Sequence, residues 1–205
     1  TNPAGRRDVI PGGYIGEFGY ADLCCFVSEV KEYFDTFWYR AGRFIELTLE
    51  LESAGNFELA VEEFHYPFEL KTAFVQKGVP DLEQLFAVSW NTALACAHEH
   101  YEDCPYYEQL QYIGDTRIQA LISYALTGDD RLGRQSLLQF HRTLTAEGLT
   151  VSRYPCNVTQ YIPLFSLYWI LMVEDHYRYF GDLQFLKSLW NGICRVLDYF
   201  ESQKA

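Results

Sequence analysis

Residues 161–173 read Tyr-Ile-Pro-Leu-Phe-Ser-Leu-Tyr-Trp-Ile-Leu-Met-Val, with no charge anywhere in the run. A helix that is apolar all round has no face to give to water, so it belongs inside a helical assembly. Working outward, Gly181-Asp182 breaks the pattern and a second helix is expected over about 182–201. Upstream, 149–160 reads as a loop, and Asp129 or Asp130 can cap a helix that runs to about Leu144 and closes at Glu147-Gly148. Before that, a helix from about Ile113 to Leu126 ends at Gly128. Pro80 and Asp81 begin an earlier one, with Leu82, Leu85, Phe86, Trp90 and Leu94 at helical spacing. These are about five helices on short connections. Alone they would leave apolar surface uncovered, so a larger helical domain is expected.

The chain before about residue 75 has a different period. In Phe44–Leu51, Ile45, Leu47, Leu49 and Leu51 alternate with Glu46, Thr48 and Glu50, the pattern of a half-buried strand. Phe57–Phe64 alternates as well, and Ala54-Gly55-Asn56 between them is a turn signal, so a hairpin is expected. Strands grouped before helices argue for an α+β chain of two domains rather than alternating units. The division falls near residues 75 and 76.

The 205 residues are 49% hydrophobic and 17% aromatic, ample for a folded core. The formal net charge of −12, with no Lys/Arg cluster, disfavours phosphate backbones and anionic membranes, so neither nucleic acid nor membrane is an expected partner. Six cysteines, at 24, 25, 96, 104, 156 and 194, show no zinc-type spacing and read as free, mostly buried thiols. The chain opens on Thr1 in mid-pattern and reads as a piece of a longer polypeptide, which leaves oligomeric state and compartment unassigned.

The densest chemistry lies in Asp103-Cys104-Pro105-Tyr106-Tyr107-Glu108-Gln109-Leu110-Gln111-Tyr112-Ile113-Gly114-Asp115. Pro105 and Gly114 oppose one continuous helix, so 103–112 is expected to be a loop at a helix start. Tyr106, Tyr107 and Tyr112 surround Glu108. A carboxyl group among aromatics has its charged form disfavoured, which suits a general acid that protonates a leaving glycosidic oxygen. Spacing alone also fits a plainer reading, with Asp103 and Asp115 capping turns and Glu108 solvated.

The segment Asp103–Gln109, followed by Gly114-Asp115, resembles the signature of the bacterial glycoside hydrolase family 78 α-L-rhamnosidases. Asp35–Arg43 is similar to the end of the β-sandwich that precedes the catalytic domain in that family. Gly114–Leu121 and Ser152-Arg153-Tyr154-Pro155 are similar to the early helices and loops of its (α/α)6 barrel. The resemblance implies the end of a β-sandwich with its linker over 1–75 and the N-terminal half of an (α/α)6 barrel over 76–205. It implies an inverting glycosidase for terminal α-L-rhamnose, with Glu108 as general acid and Asp103 and Asp115 on ring hydroxyls. The partner general base would be a glutamate from later barrel helices, outside this chain, so the chain alone is expected to be inactive. One departure is Tyr112, which stands where many members carry a Trp before Gly-Asp.

Tyr112, Trp169 and Arg153 complete the expected substrate-binding set, Tyr112 in the place of the family's sugar-stacking Trp, Trp169 by its face and Arg153 through a carboxylate or the sugar. Core packing for Trp169 and a structural ion pair for Arg153 are the alternatives. His98-Glu99-His100 is not expected to hold a metal, because positions two apart on a helix face different ways. No cofactor is expected. Two other functions fit the same scaffold: a non-catalytic carbohydrate-binding protein, and a barrel glycosidase for another sugar.

Overall fold

A computed structural model describes residues 31–35, 38–50, 55–72 and 81–204. The chain divides into two compact units, Thr1–Tyr39 and Arg40–Ala205. In the first, the Trp38 and Tyr39 rings lie 5.2 Å apart. The second holds five helices among the described residues: α1 (Leu82–Ala95), α2 (Ile113–Thr127), α3 (Arg131–His141), α4 (Pro163–Phe180) and α5 (Leu183–Ser202).

α4 begins with Pro163 in its first turn, where the missing N–H leaves no hydrogen bond unmade. It packs against α2, α3 and α5, as a helix whose first eleven residues carry no charge must. Its buried face is Ser166, Trp169, Met172, Val173 and His176. Around Trp169 and Met172 gather Ile113, Leu137, Phe140, Leu189, Ile193 and Val196. The Trp169 indole N–H donates to the Leu137 carbonyl at 3.1 Å, and its ring stacks on His141 at 5.6 Å.

Two helical hairpins frame this core. α2 and α4 both end on a left-handed glycine, Gly128 (φ 65°) and Gly181 (φ 66°), whose N–H groups return to the Tyr124 and Tyr177 carbonyls. The caps partly differ from expectation. Asp182 accepts from the Phe185 N–H and starts α5. Asp130 holds the N-cap position of α3 but makes no side-chain cap. Its carboxylate turns to His176 Nε2 at 2.9 Å, while Asp129 accepts from the Arg131 N–H. Asp81 makes no side-chain cap on α1 either, having entered a left-handed conformation at φ 68°.

A second cluster, Ala97, Tyr101, Ala120, Tyr124 and Leu132, is covered by Tyr66, Phe68 and Phe180. Residues 66–72 strap this cluster, with Tyr66 N–H bonded to the Ala97 carbonyl and Lys71 N–H to the Leu126 carbonyl. α1 is peripheral: no residue in it is buried, and Leu85 is 61% exposed.

The described residues of the expected hairpin, 44–50 and 57–64, are not paired as strands. Among the described residues there is no strand, and Leu51 and Ala54 lie outside them. Ile45, Leu47, Phe57 and Leu59 are all exposed, so neither apolar stripe has anything to pack on. An isolated two-stranded pair is marginal in water without a third layer.

The position of Trp169 yields a stability test. Trp169→Ala should lower stability by about 3–5 kcal/mol, read from the urea unfolding midpoint, because it empties a fully enclosed site. A loss below about 1 kcal/mol would show that the indole is not a core element.

Candidate active site

The segment between α1 and α2 folds onto itself before it reaches the helix. Residues 105–108 form a turn. At its neck, Asp103 N–H bonds the Leu110 carbonyl at 2.9 Å, and Leu110 N–H bonds Asp103 Oδ1 at 3.0 Å. Gln109 sits at φ 53°, sparsely populated for a residue with a side chain, and its amide reaches back to the Pro105 carbonyl at 2.9 Å. The Cys104 sulfur accepts from the Glu108 N–H at 3.4 Å. These contacts lift Glu108 onto the crest of the turn, where its side chain is 49% exposed.

Beyond the turn the backbone extends, with Tyr112 at φ −93° and ψ 142°. It pairs antiparallel with the loop after α3: Ile113 N–H donates to the Ser152 carbonyl and Tyr154 N–H to the Gln111 carbonyl. Alternate residues of extended backbone face opposite ways. Gln111 therefore enters the core, fully buried, while Tyr112 faces the turn. The Tyr112 hydroxyl donates to Glu108 Oε2 at 2.7 Å and accepts from Arg153 Nη1 at 2.7 Å. Arg153 Nη1 lies 3.8 Å from the same carboxylate oxygen. Burial and the bond to Glu108 hold the Tyr112 hydroxyl above its ordinary pKa, so it remains a donor at neutral pH.

Asp115 stands in the first turn of α2. Burial raises its carboxyl above the usual range, with the like charges of Asp103 and Glu108 adding and its own backbone N–H partly offsetting. The three carboxylates thus share one local field, with Tyr112 and Arg153 beside them.

Trp169 does not join this group. It is fully buried with its only donor spent on α3, which corrects its expected place against a sugar. His98 and His100 also differ from expectation, because residues after Ala95 leave the helix and turn back through an Ala97–Tyr101 bridge. Both imidazoles consequently face buried Glu102, at 3.3 and 3.9 Å from Oε1. Of the described cysteines only Cys96 is buried, its thiol pushed up to about 11 by burial, while Cys104, Cys156 and Cys194 are partly exposed. Sequence reading missed Gln111 and the Arg117–Asp175 pair, which ties α2 to α4 at 2.7 Å. The alternation around Tyr112 marked Gln111 as the opposite face; nothing local marked its partners.

A chemistry follows from this geometry. A half-exposed carboxyl on a braced turn, oriented by a neutral hydroxyl, can exchange a proton with a bound ligand, and two further carboxylates can accept hydrogen bonds from hydroxyls.

The comparisons with known proteins agree with that architecture. A model of the bacterial alpha-L-rhamnosidase 6 hairpin glycosidase domain matches residues 71–205. The GH78 family rhamnosidase of Bacillus sp. GL1 superposes with a TM-score of 0.62 at 24% identity, over 66% of this chain and 14% of that one. A rhamnosidase from Klebsiella oxytoca, solved with rhamnose bound, superposes with a TM-score of 0.55 at 21% identity, over 63% of this chain and 25% of that one. This chain therefore spans a quarter or less of either relative. No curated protein matches it. The family model takes in both helical hairpins and the turn that carries Glu108, and on that match the chain belongs to the bacterial α-L-rhamnosidase six-hairpin glycosidase family.

Proposed function

We propose that this chain supplies the acid half of an inverting α-L-rhamnosidase site, with Glu108 as the general acid. The observation that carries the reading is the chain of hydrogen bonds from Arg153 through Tyr112 to Glu108 on a self-braced turn. A proton donor to a glycosidic oxygen must be exposed to the ligand yet fixed in direction, and this arrangement provides both. Rhamnose as the sugar rests on family membership and on the Klebsiella oxytoca relative, whose structure holds it. The natural partner would be a rhamnose-bearing glycoside or polysaccharide.

Asp103 and Asp115 are proposed to bind ring hydroxyls. One oxygen of Asp103 is committed to the turn, which leaves the other for a ligand. Arg153 orients Tyr112 and neutralises charge beside Glu108, and Tyr112 offers the sugar its ring edge.

An inverting reaction also needs a carboxylate base across the sugar, about 6.5–9.5 Å from the acid. That base is proposed to come from further hairpins of an (α/α)6 barrel of which 76–205 form the N-terminal half. The exposed apolar residues Ile118, Trp190 and Leu197 support this, since further helices would cover them. Residues 1–75 are proposed to end a β-sandwich and its linker, on the alternation in 44–51 and 57–64. Strands at an edge form when the rest of their sheet is present.

Hydrolysis of p-nitrophenyl α-L-rhamnopyranoside by the full-length protein should fall about 10²- to 10⁴-fold in kcat for Glu108→Gln, with KM little changed. An equally fast Glu108→Gln would make the motif structural. Cleavage of a different nitrophenyl glycoside, with rhamnoside untouched, would keep the scaffold and replace the sugar.

A pH test concerns Asp115. Its folded-state pKa is raised, so the folded protein holds that proton to higher pH than the unfolded chain and loses stability as pH rises through its titration. Urea unfolding across the acid-to-neutral range should show Asp115→Asn gaining on the wild type over this window. A constant difference at every pH would remove the assignment.

A further inference from the structure

We infer that Gln111 is a positioning residue for the acid, an inference that rests on the reading of Glu108 above. Its side chain is fully buried and every polar atom of its amide is engaged. Nε2 donates to the Tyr154 carbonyl at 2.6 Å and to Gln139 Oε1 at 2.8 Å, and Oε1 accepts from Ser136 Oγ at 2.6 Å. A backbone carbonyl only accepts, so Tyr154 fixes which end of the amide is nitrogen.

The three partners come from two elements, α3 in the core and the loop that supplies Arg153 to the site. Ser136 and Gln139 stand one helical turn apart on α3. Tyr154 follows Arg153 in the loop that pairs with Gln111 itself. The amide therefore locks the register of 111–113 against 152–154 from the core side. On the opposite side of the same short pairing, that register decides whether Arg153 reaches Tyr112 and whether Tyr112 reaches Glu108. The pairing has two backbone hydrogen bonds, too few to set a register firmly without a side-chain lock. A bulky apolar residue would fill the volume but would leave the Tyr154 carbonyl and Ser136 hydroxyl without this partner. Gln111 does not touch the reacting atoms; it acts through Tyr112 and Arg153.

The test uses the full-length protein and α-L-rhamnosides whose leaving groups range from dinitrophenol to phenol. A good leaving group departs with little protonation, whereas phenol depends on the acid. Gln111→Met should slow the phenyl rhamnoside about 10- to 100-fold in kcat, as a displacement near 1 Å would. The dinitrophenyl rhamnoside should be nearly unaffected, and KM should move less than about threefold for both. Glu108→Gln, run alongside, should show the same selectivity with a larger loss. Equal losses on all leaving groups for Gln111→Met, or none, would overturn the inference while selective loss in Glu108→Gln keeps the acid reading. Loss of selectivity in Glu108→Gln itself would overturn both. If Gln111→Met does not fold, Gln139→Met carries the test: it removes one acceptor and leaves the Tyr154 bond, and a milder loss with the same selectivity supports the inference, while an unaltered profile overturns it.

Discussion

The pairing of residues 111–113 with residues 152–154 is the constraint on which the candidate site depends. Each segment of it is short and is held at its far side: α2 begins at Ile113, and Ser152 is buried with its hydroxyl on Gln160 at the approach to α4. The site is thus a junction between the two helical hairpins rather than a property of one loop. Because α4 anchors both hairpins through an apolar core, the polar chemistry at the surface is referred to a rigid frame.

The polar contacts divide by depth. On the inner side, neutral amides and hydroxyls meet, as Gln111, Gln139 and Ser136 do, and no ionised group is required. On the outer side, Glu108 is half-exposed and Arg153 largely covered, and at 3.8 Å the water reaching Glu108 screens the pair, so it contributes orientation more than stability. Two carboxylates depart from this division: Glu102, buried against His98 and His100, and Asp130, beside a buried His176 whose pKa burial depresses and Asp130 partly restores. That contact links the start of α3 to α4.

Much of this was legible in the chain. The uncharged run at 161–173 announced a central helix, and period and glycine breaks gave the five helices nearly to their ends, because helix periodicity and left-handed glycines are local signals. The motif gave Glu108 and its neighbours, and Pro105 with Gly114 gave the loop. Trp169 was the ambiguous case: an aromatic in an apolar helix has the same sequence context whether it faces a core or a ligand, and only the partners from α3 and α5 decide. Phe44–Leu51 shows the converse. Alternation states which face would be buried, not whether anything arrives to bury it. The role of Gln111 was illegible because its three partners lie 25 to 43 residues away, although alternation placed it opposite Tyr112.

The Tyr112 hydroxyl has one hydrogen, and its neighbour Arg153 has none to receive. Accepting from the guanidinium obliges the hydroxyl to give its hydrogen to Glu108 Oε2. The relay therefore has a polarity that cannot be reversed, and the two oxygens of the carboxyl are chemically inequivalent. With Oε2 engaged as an acceptor, a proton carried by this carboxyl resides on Oε1, and an oxygen that takes it up has to meet that atom.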